Sequence, residues 1–346
     1  MQISTTIDEL DRAVVHAIER SPRASWATIA AVVGADAATV ARRWQRLEES
    51  GIAWATCYPL LVDEGGSAIV ELTCASGTAL RVARTVARDP RALFVDVVTG
   101  AREVLLTAAC ADRDALGSFV LRSLPAIEGV QAVRTHPIVN VRFSGGFAAR
   151  GSLDAHAVAR LPAPDHGPLL RSHARGDDLD WAICLTFSRD GRATVSDVAR
   201  ATGSSDSTVK RRIARLFDAG LLRMMVELAA WDAGHHSVVW MTARIPVAER
   251  DEVTRQVGAI PGVKAITSVA GPDNLLIKVG LRTLSALDDI EARLARSVPS
   301  LTITDRRVVL RPVRLASRLV DERGRATEVV SLDTRTKAGA LDGSPL

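Results

Sequence analysis

Several residue classes are scarce in this chain, and each scarcity closes off a kind of chemistry. The four cysteines, Cys57, Cys74, Cys110 and Cys184, are scattered and form no CxxC pair. That argues against a disulfide framework and against a cysteine-based zinc site, and no metal site is expected. Lysine is nearly missing: Lys210, Lys264, Lys278 and Lys337 are the only four, so almost all the positive charge is arginine. Aromatic residues make up only 4% of the chain. No uncharged apolar run approaches the roughly 18 residues of a membrane span. The amino-terminal MQISTTIDELDR is acidic where a secretory leader is basic. A cytoplasmic protein with no membrane partner is the expectation.

What is present is a chain of 346 residues, 47% apolar and 24% charged, with room for several domains. A formal net charge of +4 permits a nucleic-acid partner without requiring one. Residues 194–222 carry the main signal. Val195, Val198 and Ala199 give one short helix an apolar face, Gly203 breaks it, and Val209, Ile213 and Leu216 bury one face of a second helix. Lys210, Arg211 and Arg215 lie on the opposite face, and Gly220 stops the helix. That layout predicts a helix-turn-helix.

The same pattern occurs in residues 25–52. At an offset of about 169, Ala30 falls on Ala199, Gly34 on Gly203, Val40 on Val209, Leu47 on Leu216 and Gly51 on Gly220. The chain is therefore an internal duplication. On the two proposed recognition helices the outward residues are Ala38, Thr39, Arg42, Arg43 and Arg46 in the first copy. Ser207, Thr208, Lys210, Arg211 and Arg215 take those places in the second. Arginine suits a guanine edge, threonine a base or a phosphate, and alanine permits close approach to the groove. Arg23 and Arg192 occupy the turn before the second helix, where two readings stand: a phosphate contact or pairing with an acid. The paired aspartates Asp8 and Asp11, and Asp177 and Asp180, read as caps of each first helix.

After each helical part the pattern changes. Residues 67–74, 93–98, 104–109 and 130–141 are strand-like and 77–88 and 113–124 helical. The order βαββαβ predicts a ferredoxin-like sheet. The second copy repeats it from 236 to 310 at an offset of about 171. Helices on one side leave the other sheet face to be covered by pairing of the two copies or of two chains. The fold class expected is α+β: two winged helix-turn-helix domains, each followed by a ferredoxin-like domain. The expected boundaries are 1–61, 62–143, a linker at 144–175, 176–231, 232–315, and a disordered tail at 316–346. His156, His166 and His173 lie in the linker. No catalytic set stands out, and the chain is expected not to be an enzyme and to need no cofactor.

Each copy resembles the Lrp/AsnC family of bacterial and archaeal regulators. The resemblance rests on Ile7-Asp8 with Asp11-Arg12, on Asp190-Gly191-Arg192, and on the Thr-Val-x-Arg-Arg stretch at 39–43 with its counterpart from Thr208 to Arg212. The helix exits at 46–52 and 215–221 fit as well. It implies sequence-specific binding of double-stranded DNA, a homo-oligomer that is at least a dimer, and an amino acid or related metabolite as effector between sheet domains. The family's ligand-side loop places a glycine before acidic, aromatic and acidic residues. The matching positions are Gly100 with Glu103 and Gly271 with Asp273 and Asn274, and both loops depart from the pattern. The two glycines are equally readable as turns between strands. The siroheme decarboxylases are similar to the same tandem module and supply the alternative, a tetrapyrrole enzyme. His136 and the pair His235-His236 are the histidines in or beside the sheet domains.

Overall fold

Side-chain caps set where the helices of the two helix-turn-helix parts begin. The computed structural model describes residues 7–59, 65–144, 152–162 and 176–335. In the first copy α1 (Glu9–Arg20) opens on Asp8, which accepts from the Asp11 N–H while Asp11 accepts from the Asp8 N–H. α2 (Trp26–Val33) is capped by Ser25 and ends at Gly34, whose φ of 72° is left-handed. α3 (Ala37–Glu49) is capped by Asp36 and buries Val40, Trp44 and Leu47. There follow β1 (Ala53–Pro59), β2 (Ser67–Cys74), α4 (Ala79–Ala87), β3 (Ala92–Val98), β4 (Val104–Ala109), α5 (Arg113–Ser118) and β5 (Val130–Ser144). A short helix, α6 (Ala155–Ala159), lies between the copies.

The second copy repeats the plan and the caps. α7 (Asp178–Arg189) has the reciprocal Asp177–Asp180 box, α8 (Val195–Thr202) is capped by Thr194, and α9 (Asp206–Asp218) by Ser205. β6 (Leu222–Leu228), β7 (Ser237–Arg244), α10 (Arg250–Gly258), β8 (Val263–Val269), β9 (Leu275–Leu281), α11 (Ala286–Ser297) and β10 (Thr302–Leu315) follow. Two short strands, β11 (Arg318–Val320) and β12 (Ala326–Val329), come last.

These elements fall into two compact units. The first holds the described residues within 1–61, 146–233 and 323–329. In it the two helical triplets are joined by β1 and β6, which pair antiparallel from Ala53 opposite Leu228 to Pro59 opposite Leu222. Thr56 lies opposite Met225, its own counterpart in the duplication, so a pseudo-two-fold axis passes through the ribbon. Residues 323–329 strap onto this unit. The Ala326 N–H donates to Gly51 O at 2.8 Å, and Arg325 makes two bonds, of 2.7 and 2.9 Å, to Asp232, whose side chain is largely covered.

The second unit holds the described residues within 62–145, 234–322 and 330–346. Each copy forms a βαββαβ half with strand order β3-β4-β2-β5 or β8-β9-β7-β10. The open ferredoxin-like sheets expected from sequence do not occur. The halves close into one eight-stranded barrel instead, through β5 paired with β8 and β10 paired with β3. The cause is the length of the last strand in each half. β5 lies against β2 as far as Pro137, then runs on against β8 from Ile138. β10 does the same between β7 and β3. Each half thus seals an edge of the other, which removes unpaired strand edges. Helices cover the outside, packing Val82, Val86 and Phe119 in one half and Val253, Val257 and Leu294 in the other. An apolar belt that includes Ile69, Leu105, Trp240 and Leu276 is drawn from both halves and lies inside.

The stretch after 315 was expected to be disordered. It is ordered through residue 335, and residues 336–346 lie outside the described residues. Arg314, fully buried, donates to the carbonyls of Ala87, Asp89, Ala316 and Ser331 at 2.5–2.9 Å. It sits at the carbonyl end of α4, where the helix dipole favours a cation. Leu332 is fully buried in the same unit. A polar stretch with irregularly spaced apolar residues gives no periodicity from which this could be read.

Candidate functional site

Two sets of side chains are candidates, one on the helical unit and one inside the barrel. The arginines expected to face DNA are divided between structural duty and solvent. Arg43 pairs with Asp8 at 2.6 Å and Asp11 at 2.9 Å, and Arg46 with Asp11 at 2.5 Å. In the second copy Arg215 pairs with Asp180, and Arg212 with Asp177 and Asp180. The caps of α1 and α7 therefore also anchor α3 and α9. Asp8 and Asp177 are held below the usual carboxylate range, chiefly by the backbone bond within each cap, with Arg43 or Arg212 adding to it.

Arg23 and Arg192 each reach across to the other copy. Arg23 donates to Ala193 O and stacks over the Phe187 ring. Arg192 donates to Pro22 O and Ala24 O and lies 3.9 Å from the Trp26 ring centroid. Burial pulls the Arg192 guanidinium down to about 10. The two struts fix one helical triplet against the other. Arg42, Lys210 and Arg211 are exposed and have no ion pair among the described residues. Ala38 and Ser207 are exposed beside them, while Thr39 and Thr208 are half-buried and give their N–H groups to the caps Asp36 and Ser205.

Of the loop residues singled out for an effector, Glu103 accepts from the Cys74 N–H at 3.0 Å. Its counterpart Asn274 bonds the N–H and carbonyl of Ile245 at 3.1 and 2.9 Å. The two side chains finish the ends of β2 and β7 in the same way. Asp273 pairs with Arg244 at 3.3 Å. Gly100 and Gly271 have φ of 102° and 147°, and the space beside Gly100 is open.

Inside the barrel lie charged residues that pattern reading passed over. Glu71, 1% exposed, meets Arg307 at 2.5 Å, Arg102 at 2.6 Å and the Nε2 of His136 at 3.3 Å. Burial alone would raise the Glu71 carboxyl. His136 and Arg307 overcome that and bring it from 4.5 down to about 2. Glu71 and Thr242 are counterparts, as are His136 and Arg307, so this cluster lies on the barrel's own pseudo-axis and occurs once. It reaches solvent through Arg102 and through Asp305, which holds Arg307 at 2.7 Å. A second cluster joins Asp96 to Lys278 and to the Trp240 indole N–H, both at 2.9 Å. Its other carboxylate oxygen is buried with no hydrogen-bond partner among the described residues. The signal available in sequence was a lone charge in an apolar strand, as in SAIVELTC, ALFVDVV and LLIKVGL. Such a charge is tolerated inside only with a partner.

The family description "AsnC-type helix-turn-helix domain" matches residues 7–48 and again 177–216. "Lrp/AsnC ligand binding domain" matches residues 67–145. Both descriptions are those of Lrp/AsnC-type regulators, which the chain resembles in a tandem-duplicated form. Among proteins of similar sequence, an uncharacterised HTH-type transcriptional regulator of Pyrococcus abyssi is 27% identical over 138 residues, 39% of this chain and 93% of the relative. The regulator LrpA of Mycobacterium tuberculosis is 28% identical over 120 residues, 34% of this chain and 80% of its own. Each corresponds to one module. The siroheme decarboxylase NirDL has the same fold along nearly the whole chain, with a TM-score of 0.59, covering 93% of this chain and 95% of its own at 12% identity. In complex with an iron-uroporphyrin III analogue its TM-score is 0.60. The expectation of a non-enzyme is overturned here, because the whole-chain architecture is one that also carries an enzyme. Among the described residues no helix is long and apolar enough to cross a membrane.

Proposed function

We propose that the chain binds a carboxylate-rich tetrapyrrole and decarboxylates it, in the manner named for NirDL. The observation that carries this reading is the single His136–Glu71–Arg307 cluster, opened to solvent by Arg102, in a barrel that shares the decarboxylase fold end to end. Loss of carbon dioxide from an acetate arm breaks one C–C bond and returns one proton to the carbon, with no oxidant consumed. Arginines are suited to hold the remaining carboxylates in bidentate pairs. Arg102 and Arg307 supply two, and their present partner Glu71 marks where a ligand carboxylate is welcome. His136 is the proton carrier on this reading, its Nε2 lying 3.3 Å from Glu71. The test is incubation with siroheme, followed by mass spectrometry for the loss of carbon dioxide. His136→Ala is expected to retain binding and lose turnover, and Arg102→Ala to weaken binding. A wild-type protein that neither binds siroheme nor changes its mass sinks the reading.

A second reading, contact with double-stranded DNA, is favoured by one observation: Arg42, Lys210 and Arg211 stand exposed on α3 and α9 with no ion pair among the described residues. Ala38, Thr39, Ser207 and Thr208 lie on the same helices. On this reading α9 with two of these cations is the stronger contact and α3 with one the weaker. Arg211→Ala then lowers the slope of log affinity against log salt by about 1 if it touches phosphate. No DNA binding at low salt removes this reading.

A further inference from the structure

The two half-barrels are duplicates, so their inward positions can be compared one for one. At the offset of about 171, Glu71 corresponds to Thr242, Asp96 to Thr267, Thr107 to Lys278 and His136 to Arg307. At these positions both acids, Glu71 and Asp96, lie in the first copy with His136, and the permanent cations Lys278 and Arg307 lie in the second. Two ion pairs therefore run between copies: Glu71 to Arg307 at 2.5 Å and Asp96 to Lys278 at 2.9 Å. Trp240, also from the second copy, donates to the same Asp96 oxygen.

We infer that the inner faces of the half-barrels form a heterotypic recognition surface, on which a first-copy sheet accepts only a second-copy sheet as its partner. Two first-copy sheets closed on each other would set Asp96 against Thr107 and bury a carboxylate without a base, twice per barrel. Two second-copy sheets would set Thr267 against Lys278 and Thr242 against Arg307, burying Lys278 with no acid and leaving Arg307 only its half-exposed neighbour Asp305. An unpaired buried charge is far more costly than anything a buried ion pair returns. Only the crossed arrangement balances the interior. The apolar belt does not discriminate in this way: Val98 matches Val269 and Leu105 matches Leu276. The belt holds the halves together, and the charges choose which halves meet. The partner that fits a first-copy face is a second-copy face, whether from the same chain or from another.

Three full-length variants test this. In the first, the second copy takes the first copy's inner residues (Thr242→Glu, Thr267→Asp, Lys278→Thr, Arg307→His). In the second, the first copy takes those of the second (Glu71→Thr, Asp96→Thr, Thr107→Lys, His136→Arg). Each alone is expected to lose the slow-exchanging amides of β2 and β7 in hydrogen exchange. Refolded together, the two chains should form a complex that holds both in equal number by native mass spectrometry and recovers that protection. The third, Asp96→Asn with Lys278→Met, removes both charges of one pair and is expected to close alone with wild-type protection. Wild-type protection in either homotypic variant by itself overturns the proposal, and so does a mixture that recovers none. Failure of the neutral variant to close would mean that the charges hold the barrel rather than select the partner, which overturns it as well.

Discussion

Gly51 gives the sharpest test of the strap that follows the barrel. It ends α3 with φ +67°, and a Cβ built on it would lie 2.2 Å from the carbonyl oxygen of Ala326 and 2.9 Å from its nitrogen. Gly34 has almost the same φ, +72°, with nothing within 4 Å. Gly34→Ala therefore reports left-handed strain alone, roughly 1–2 kcal/mol. Gly51→Ala carries the same strain and must also push Ala326 away. That breaks the 2.8 Å bond between the Ala326 N–H and Gly51 O and loosens the Arg325–Asp232 pair, in which Asp232 is 8% exposed. A lost backbone bond and a half-abandoned buried carboxylate together add about 2–4 kcal/mol. The assay is urea unfolding of both variants beside trypsin cleavage at Arg323 and Arg325. Gly51→Ala should be the less stable by that margin, with cleavage at these arginines accelerated, whereas Gly34→Ala keeps the wild-type cleavage rate. Equal stability losses and unchanged cleavage in both would refute the strap.

Other consequences follow from the same geometry. Arg314→Met leaves four carbonyls without their donor and should cost about 3–5 kcal/mol in urea unfolding, with the exchange of residues 316–335 rising toward that of free chain. Glu71 has a folded value below its unfolded one. Its stabilisation is therefore full above about pH 4.5 and is lost as pH falls toward 2, so acid unfolding of wild type should be steeper across that window than that of Glu71→Gln. Arg43→Ala and Arg215→Ala should lower stability by about 1–3 kcal/mol, through Asp11 and Asp180 left buried without their full complement, whereas Arg211→Ala should leave the urea midpoint unmoved. Arg192→Ala removes a strut held by two carbonyls and the Trp26 ring, and should raise exchange in the β1–β6 ribbon more than in α9.

Much of this architecture was legible in the residues. The duplication showed in the glycine breaks, and the helix starts in the paired aspartates, because caps and breaks act within a few residues of themselves. The need to cover the inner sheet faces followed from helices on one side only. Barrel closure was not legible, because a strand's length does not say which edge its far end will meet. The interior clusters were hidden for a similar reason. Glu71 and Arg307 are 236 residues apart and Asp96 and Lys278 are 182 apart, so each charge reads alone as an oddity in an apolar strand. The bonds of Arg23 and Arg192 to the other copy's backbone were not legible, because a positive turn residue beside a helix-turn-helix has the same sequence with or without them.

The central functional claim is that one carboxylate-rich tetrapyrrole binds at the single cluster on the barrel's pseudo-axis. The direct measurement is titration of the purified chain with iron-uroporphyrin III, followed by the absorbance of the macrocycle and repeated with Arg102→Ala. A saturable spectral change that ends at one equivalent per chain, and shifts to higher concentration in Arg102→Ala, is the result predicted. No spectral change at any ratio, or an identical titration in the variant, would contradict it.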